Sequence, residues 1–278
     1  MHIDGRTAFI AHIGYPTDSF QSPMIYNPYF QSTGLNAVVL PMACRIEAYP
    51  SFLRSVFALE NILGALITMP HKVTTVSLLD EVTPSVRVSG ACNAVKRTPD
   101  GRLTGEMFDG EGFARSLARK GCALKGAKAL VVGCGGIGSA IAASLAQREV
   151  AELHLVDLNS AAADGVRKRL QGHFPGMKIE AGHNDPAGFD LVVNATPLGS
   201  KGADSYPMDV TRIEPSAVVA DVVMRGEATE FLQVASQRGC TTLDGFAMLF
   251  EQIPLYLEYF GLPVASPDRL RQLAMLHV

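Results

Sequence analysis

With 278 residues, 47% of them apolar and 18% charged, the chain has the balance of a folded globular protein of two domains rather than of a disordered segment. A formal charge of −3 with no lysine- or arginine-rich block gives no electrostatic footprint for nucleic acid, and no apolar run approaches the about 20 residues of a membrane helix. The five cysteines form no CxxC pair and the seven histidines show no HxxxH or HExxH spacing, so neither a disulfide framework nor a metal site is expected.

Residues 7–13 read as a short buried strand that ends in Gly14-Tyr15-Pro16-Thr17-Asp18, a loop by composition. Nothing before that strand has the basic-then-apolar pattern of a secretory leader, and the expected compartment is the cytoplasm. Ser22-Pro23 predicts a helix start, serine as N-cap and proline in the first turn. A second strand follows over 36–40, helical spacing over 48–59, and a third strand over 64–69, stopped by Pro70. Lys72 opens another helix. Strands at 94–97 and 103–105 flank Pro99-Asp100-Gly101, a hairpin turn. The first third is a small α/β unit, with a boundary expected near residue 110.

Beyond Asp109 the pattern changes. Residues 112–120 look helical and 129–132 form a buried strand; 137–147, small and apolar, suit a helix packed closely on a sheet. Strands are expected at 153–156, 178–181, 190–194, 217–222 and 241–243, with helices over 161–171 and 229–237. This alternation predicts a parallel doubly wound sheet over 111–245. The helical stretch at 246–260 opens a C-terminal segment, 246–278, placed back on the first domain.

Gly133-Cys134-Gly135-Gly136-Ile137-Gly138 follows an apolar strand and opens a helix, the setting in which GxGxxG binds a dinucleotide. Gly133 permits the tight turn, Gly135 the approach of backbone to pyrophosphate, and Gly138 close helix–strand packing. The phosphates then lie at a helix N-terminus, where free N–H groups and the dipole favour anions. Asp157 ends the next strand, where a carboxylate accepts hydrogen bonds from ribose hydroxyls and repels a 2′-phosphate. Leu158 and Asn159 follow, with no arginine beside them, which favours NAD over NADP as cofactor. Asn194, Ala195, Thr196 and Val222, at strand C-termini, are expected near the nicotinamide through backbone and van der Waals contacts.

In order and spacing, several segments resemble the shikimate dehydrogenase family. They are Gly14-Tyr15-Pro16 with Ser22-Pro23, the run from Gly64 to Lys72 through Thr68-Met69-Pro70, Gly90-Ala91-Cys92-Asn93, Gly105 to Gly110, the glycine cluster, Asn194 to Gly199, Asp221, and Asp244 to Met248 with Gln252. The likeness spans nearly the whole chain. It implies an N-terminal α/β substrate domain (1–110), a C-terminal Rossmann domain with a doubly wound parallel sheet (111–245), and C-terminal helices (246–278) returning to the first. It implies hydride transfer between NAD and a cyclic secondary alcohol, shikimate- or quinate-like, with Lys72 and Asp109 as the catalytic pair. Such a pair suits the chemistry: the alcohol oxygen gains charge as hydride moves, and a lysine ammonium positioned by a carboxylate can supply the proton. Ser22, Thr68, Asn93 and Gln252 match residues that hold the substrate.

Four positions depart from the family pattern. Phe20 stands where a first serine is usual, Leu66 and Met107 replace asparagines, and Met224 replaces a tyrosine. Each change removes hydrogen-bonding capacity, so the preferred substrate is expected to have shifted, to quinate, another shikimate relative or a less polar cyclic alcohol, with Phe20 and Leu66 facing its ring. The partner is a small molecule, with neither nucleic acid nor membrane; the resemblance allows a monomer or a homodimer. Two other readings remain open: an NAD-binding sensor with a decayed pocket, and an S-adenosylmethionine methyltransferase, which explains neither Lys72 nor Asp109.

Overall fold

The computed structural model describes residues 3–200 and 206–276. The chain divides into two compact units. The first takes residues up to Arg87, Ala91–Phe108 and the segment from Ile253 on; the second takes Val88–Gly90 and Asp109–Gln252.

The first unit carries β1 (Ala8–Gly14), α1 (Pro23–Thr33), β2 (Ala37–Ala43), α2 (Tyr49–Val56), β3 (Ile62–Ile67), the single turn α3 (Lys72–Thr75), β4 (Glu81–Val82), the start of α4 (Pro84–Ser89), β5 (Ala94–Arg97) and β6 (Leu103–Glu106). Its six strands lie in the order β2-β1-β3-β5-β6-β4. β1 runs parallel to β2 and β3, whereas β5 is antiparallel to both β3 and β6, so the sheet is mixed. The hairpin between β5 and β6 turns where proline and glycine predict it: Thr98 N–H donates to the Arg102 carbonyl at 2.8 Å, and Gly101 takes φ +85°. β3 begins and ends two residues earlier than the expected 64–69, and Thr68 and Met69 lie outside the strand ahead of Pro70.

The second unit carries α5 (Asp109–Arg119), β7 (Lys128–Val132), α6 (Gly136–Gln147), β8 (Glu152–Val156), α7 (Ser160–His173), β9 (Lys178–Ala181), β10 (Leu191–Asn194), β11 (Val218–Asp221), α8 (Glu230–Gln237) and β12 (Thr241–Leu243). α9 (Gly245–Tyr259) begins here and ends in the first unit, which also holds α10 (Pro267–Leu273). The sheet order is β12-β11-β10-β7-β8-β9 with every pair parallel, the doubly wound Rossmann order, and the strand sequence reverses between β7 and β10.

Its central strands are apolar on both faces for a visible reason. Ala129, Val131, Leu153, Leu155, Leu191 and Val193 join one core with residues of α5, α6 and α7, while Leu130, Val132, Val192 and Val219 join another with residues of α8. A strand covered on both sides cannot alternate with polar residues. Among the described residues, β10 and β11 are joined without an α-helix; only a 3-10 turn at Val210–Arg212 lies between them.

Within the first unit the C-terminal segment is tied down by named bonds. Tyr29 donates its hydroxyl to the Pro263 carbonyl at 2.7 Å, Met275 N–H donates to Met24 O at 2.9 Å, and Lys96 Nζ donates to Tyr259 O at 2.9 Å while lying 4.2 Å from that ring's centre. Among the described residues no helix is long and apolar enough to cross a membrane.

Candidate active site

In the second unit the glycine turn joins β7 to α6. Gly133 takes φ +101°, and a Cβ there would stand 2.6 Å from the Ala195 carbonyl oxygen. Gly138 is tighter still: a Cβ would run into the backbone oxygen of Gly133. At Gly135, by contrast, nothing lies within 4 Å of where a Cβ would be. That open, exposed backbone is the N-cap of α6, whose first turn has no acidic residue, and Gly136 and Ile137 start the helix. The residues therefore fit a pyrophosphate at the helix tip.

Asp157 follows β8. Its Oδ2 accepts the Cys134 N–H at 2.7 Å and its Oδ1 the Asn159 N–H at 2.8 Å. The carboxylate is thus oriented by backbone on both oxygens, each with a further lone pair to offer. Leu158, beside it, is fully exposed.

At the ends of β10 and β11 a polar network shapes the loops. Asn194, wholly buried, donates to Asp221 Oδ1 at 3.1 Å and to the Leu198 carbonyl at 3.2 Å, and its Oδ1 accepts the N–H of Thr196 at 3.0 Å and its hydroxyl at 2.6 Å. Asp221 also accepts Thr229 Oγ1 at 2.7 Å and Val223 N–H at 3.0 Å. Burial pushes the Asp221 carboxyl up, against the downward pull of those bonds. The side chains of Asn194 and Thr196 are consumed in forming the loops; Ala195 and Val222 offer backbone and apolar surface. Met224 packs at the margin of the same core.

Asp109, 3% exposed, is the first residue of α5, and Gln252 Nε2 donates to its Oδ1 at 3.0 Å. The pair is enforced by packing, since a Cβ on Gly112 would strike Gln252 Cγ.

In the first unit Lys72, 7% exposed, opens α3. Its backbone is fixed from two sides. Cys92 N–H donates to the Lys72 carbonyl at 2.9 Å, and the preceding His71 stacks on Tyr49 at 3.9 Å with Nε2 2.8 Å from Cys44 O. Tyr49 in turn bonds Thr75 Oγ1 at 2.6 Å, and Thr75 donates to His71 O at 2.8 Å. Asn93 is buried, its Oδ1 accepting Phe108 N–H at 2.9 Å.

Ser22 occupies the N-cap position of α1 but makes no side-chain cap, because its φ/ψ of −54°/−43° is already helical. Its hydroxyl and that of Thr68 bond to no described residue. Phe20 stacks on His12 at 4.1 Å and fills the space beside Gly14, with Cζ 2.7 Å from where a Cβ would stand. Leu66 is the β3 partner of His12 across the ladder, and Leu66 and Met107 are both 4% exposed.

Residues 12–95 match the model of the shikimate dehydrogenase substrate binding domain. A shikimate dehydrogenase (NADP(+)) of Rubrobacter xylanophilus is 35% identical over 90% of this chain and 89% of its own. The chain belongs to the shikimate dehydrogenase family. Among solved family structures, shikimate 5-dehydrogenase of Listeria monocytogenes, in complex with shikimate and NAD, superposes with a TM-score of 0.87 at 26% identity, over 98% of either chain. Quinate dehydrogenase of Corynebacterium glutamicum, in complex with NAD, does so at 0.86 and 27% identity, over 96% of this chain and 98% of its own.

Within each unit of this shikimate dehydrogenase family member, three sets of the expected residues lie together: Asp109 with Gln252, Asp157 with the glycine turn, and Thr68 with Phe20 around Gly14. One was missed. His12 sits in an apolar strand with its Nδ1 buried and unbonded. A histidine inside a run of otherwise apolar strand residues was the available signal. Among the described residues one group could in principle hold a cation, Glu152, His154 and Glu180, but Lys178 Nζ already bridges its two carboxylates at 2.7 and 3.3 Å.

Proposed function

We propose that this protein interconverts a cyclic secondary alcohol and its ketone, on a shikimate- or quinate-like ring acid, with NAD as cofactor and Lys72 and Asp109 as the catalytic pair. The observation that carries the reading is the burial of two groups that are costly to bury: Lys72 is 7% and Asp109 3% exposed, each on the first residue of a helix. When bound, the nicotinamide supplies or accepts the hydride. Lys72 Nζ donates a proton to the oxygen that gains charge in ketone reduction and takes it back in alcohol oxidation. Asp109, oriented by Gln252, accepts a hydrogen bond from the ring hydroxyl.

NAD over NADP is supported by Asp157, whose carboxylate is locked in place, and by Leu158, where a cation for a 2′-phosphate would otherwise stand. The Rubrobacter relative is named for NADP(+) and the two solved structures hold NAD, and steady-state kinetics with each nucleotide tests the choice. kcat/KM with NAD is expected to exceed that with NADP by at least about tenfold, and Asp157→Ser with Leu158→Arg to reverse the preference. The buried Leu66 and Met107 and the half-buried Phe20 favour a ring with fewer hydroxyls than shikimate, since each unmatched hydroxyl costs about 1–3 kcal/mol.

The deciding experiment replaces Lys72 with alanine. Turnover of shikimate, quinate or a less hydroxylated ring acid is expected to fall by about 10²–10⁴-fold while NAD affinity stays within a factor of two. Activity that survives this substitution refutes the catalytic assignment.

A further inference from the structure

His12 is a buried, chemically competent side chain of the first unit that the proposed reaction leaves unused. It lies on β1, is 7% exposed, and points to the face it shares with Gly14, since alternate strand residues face the same way. Leu66 is its partner on β3, Phe20 is stacked flat on its ring at 4.1 Å, and Thr68 packs against Gly14 two residues further along β1.

Neither ring nitrogen bonds to a described residue. Nδ1 is sealed from solvent, whereas Nε2 is not among the sealed polar atoms. The buried, unbonded Nδ1 is unfavourable by about 1–3 kcal/mol, and it leaves Nε2 as the ring nitrogen that a ligand can reach. Burial, reinforced by the charge of Lys72, keeps the ring neutral, its pKa pushed down to about 3. His12 is therefore close enough to the catalytic lysine to feel its charge, yet carries none itself. Thr68, which packs with Phe20 against Gly14, carries a further hydroxyl that bonds to no described residue.

We propose that His12 is a specificity-determining residue, whose Nε2 hydrogen-bonds one oxygen of the substrate ring acid while Phe20 and Leu66 receive the bare carbons beside it. The neutral imidazole supplies a single directional bond where a serine hydroxyl or an amide would supply several. The ring it selects carries an oxygen at one position and hydrogen at its neighbours. This rests on the function proposed above and specifies which ring acid that site takes.

The test measures kcat and KM for shikimate, quinate and 3-hydroxycyclohexane-1-carboxylate with the wild type, His12→Phe and His12→Gln. Phenylalanine keeps the stack on Phe20 and removes the bond; glutamine restores an N–H near the place of Nε2. For the preferred acid, His12→Phe is expected to raise KM at least about tenfold, the equivalent of one hydrogen bond, with kcat within threefold, and His12→Gln to recover most of the loss. A KM unchanged in folded His12→Phe overturns the inference, as does a loss that glutamine leaves in full. If His12→Phe fails to fold, ¹⁵N signals of the wild-type imidazole decide: the Nε2 resonance is expected to move when the preferred acid is added at saturation, and an unmoved resonance overturns the inference. Turnover of none of the three acids by the wild type refutes the proposed function and this inference together, whereas turnover with an indifferent His12 refutes this inference alone.

Discussion

A set of polar residues in the second unit and a set in the first are held in opposite ways. In the second unit they satisfy one another: Asn194 bonds Asp221, Asp221 bonds Thr229, Asp157 bonds the glycine turn, and Gln252 bonds Asp109. In the first unit His12, Ser22 and Thr68 have side-chain groups with no described partner, although His12 and Ser22 are buried. A shape made by closed networks and backbone is the same whether or not a ligand is present, as a cofactor common to many substrates requires. Open valences acquire their partner from the ligand, and they are where one family member can come to differ from another.

This contrast can be broken by measurement. The largest effect is expected at Asp221. Its replacement by alanine strands the Asn194 amide, the Thr229 hydroxyl and the Val223 N–H in a buried place, a loss of about 3 kcal/mol by chemical denaturation. An Asp221→Ala protein within 1 kcal/mol of wild type would show the network to be ornamental. Next comes Gly138→Ala, whose methyl must displace the Gly133 backbone. About 2 kcal/mol of destabilisation is expected, together with at least tenfold weaker NAD binding by calorimetry.

Acid should act through His12. Its pKa is about 3 in the folded chain against 6.5 for the ordinary side chain. Above pH 6.5 both states are neutral and nothing is lost. Between 6.5 and 3 the unfolded chain takes up a proton that the folded chain refuses, so stability falls as pH falls, by up to about 1.4 kcal/mol per unit. Unfolding curves at pH 7 and pH 5 should therefore diverge less for His12→Phe than for wild type; equal divergence would show that the buried imidazole does not carry the effect. The smallest expected change is in the stability of Ser22→Ala, within about 0.5 kcal/mol, because the hydroxyl has no protein partner to lose. Its KM for the ring acid should still rise. A stability loss without a KM change would place Ser22 with the second unit's residues in kind.

The second unit was legible in the sequence because its physics is local. A strand covered on both faces must be an apolar run, and a helix tip against a strand must be glycine; both patterns appear over a few consecutive residues. The mixed sheet of the first unit was less so. β4 spans only Glu81–Val82, too short for any periodicity, and the antiparallel pairing of β5 with β3 joins segments far apart in the chain, beyond the reach of the local hairpin signal that ties β5 to β6. Ser22 resembles a cap in sequence, yet its backbone is already helical, so the hydroxyl has no capping to do. His12 was missed because a histidine in an apolar strand reads as one more core residue until its nitrogens are found unbonded. The pairing of Asp109 with Gln252 spans α5 and α9, and only the resemblance, not the spacing, brought those two residues to notice.

The bond between Asn194 and Asp221 joins residues that are also ladder partners at the last rung of β10 and β11. Two loops leaving adjacent strands thus share one hinge pin. Neither can be lengthened, shortened or re-aimed in isolation, so variation at this end of the second unit's sheet must come as paired change in both loops, and a graft of one loop from a relative should fail unless its neighbour travels with it.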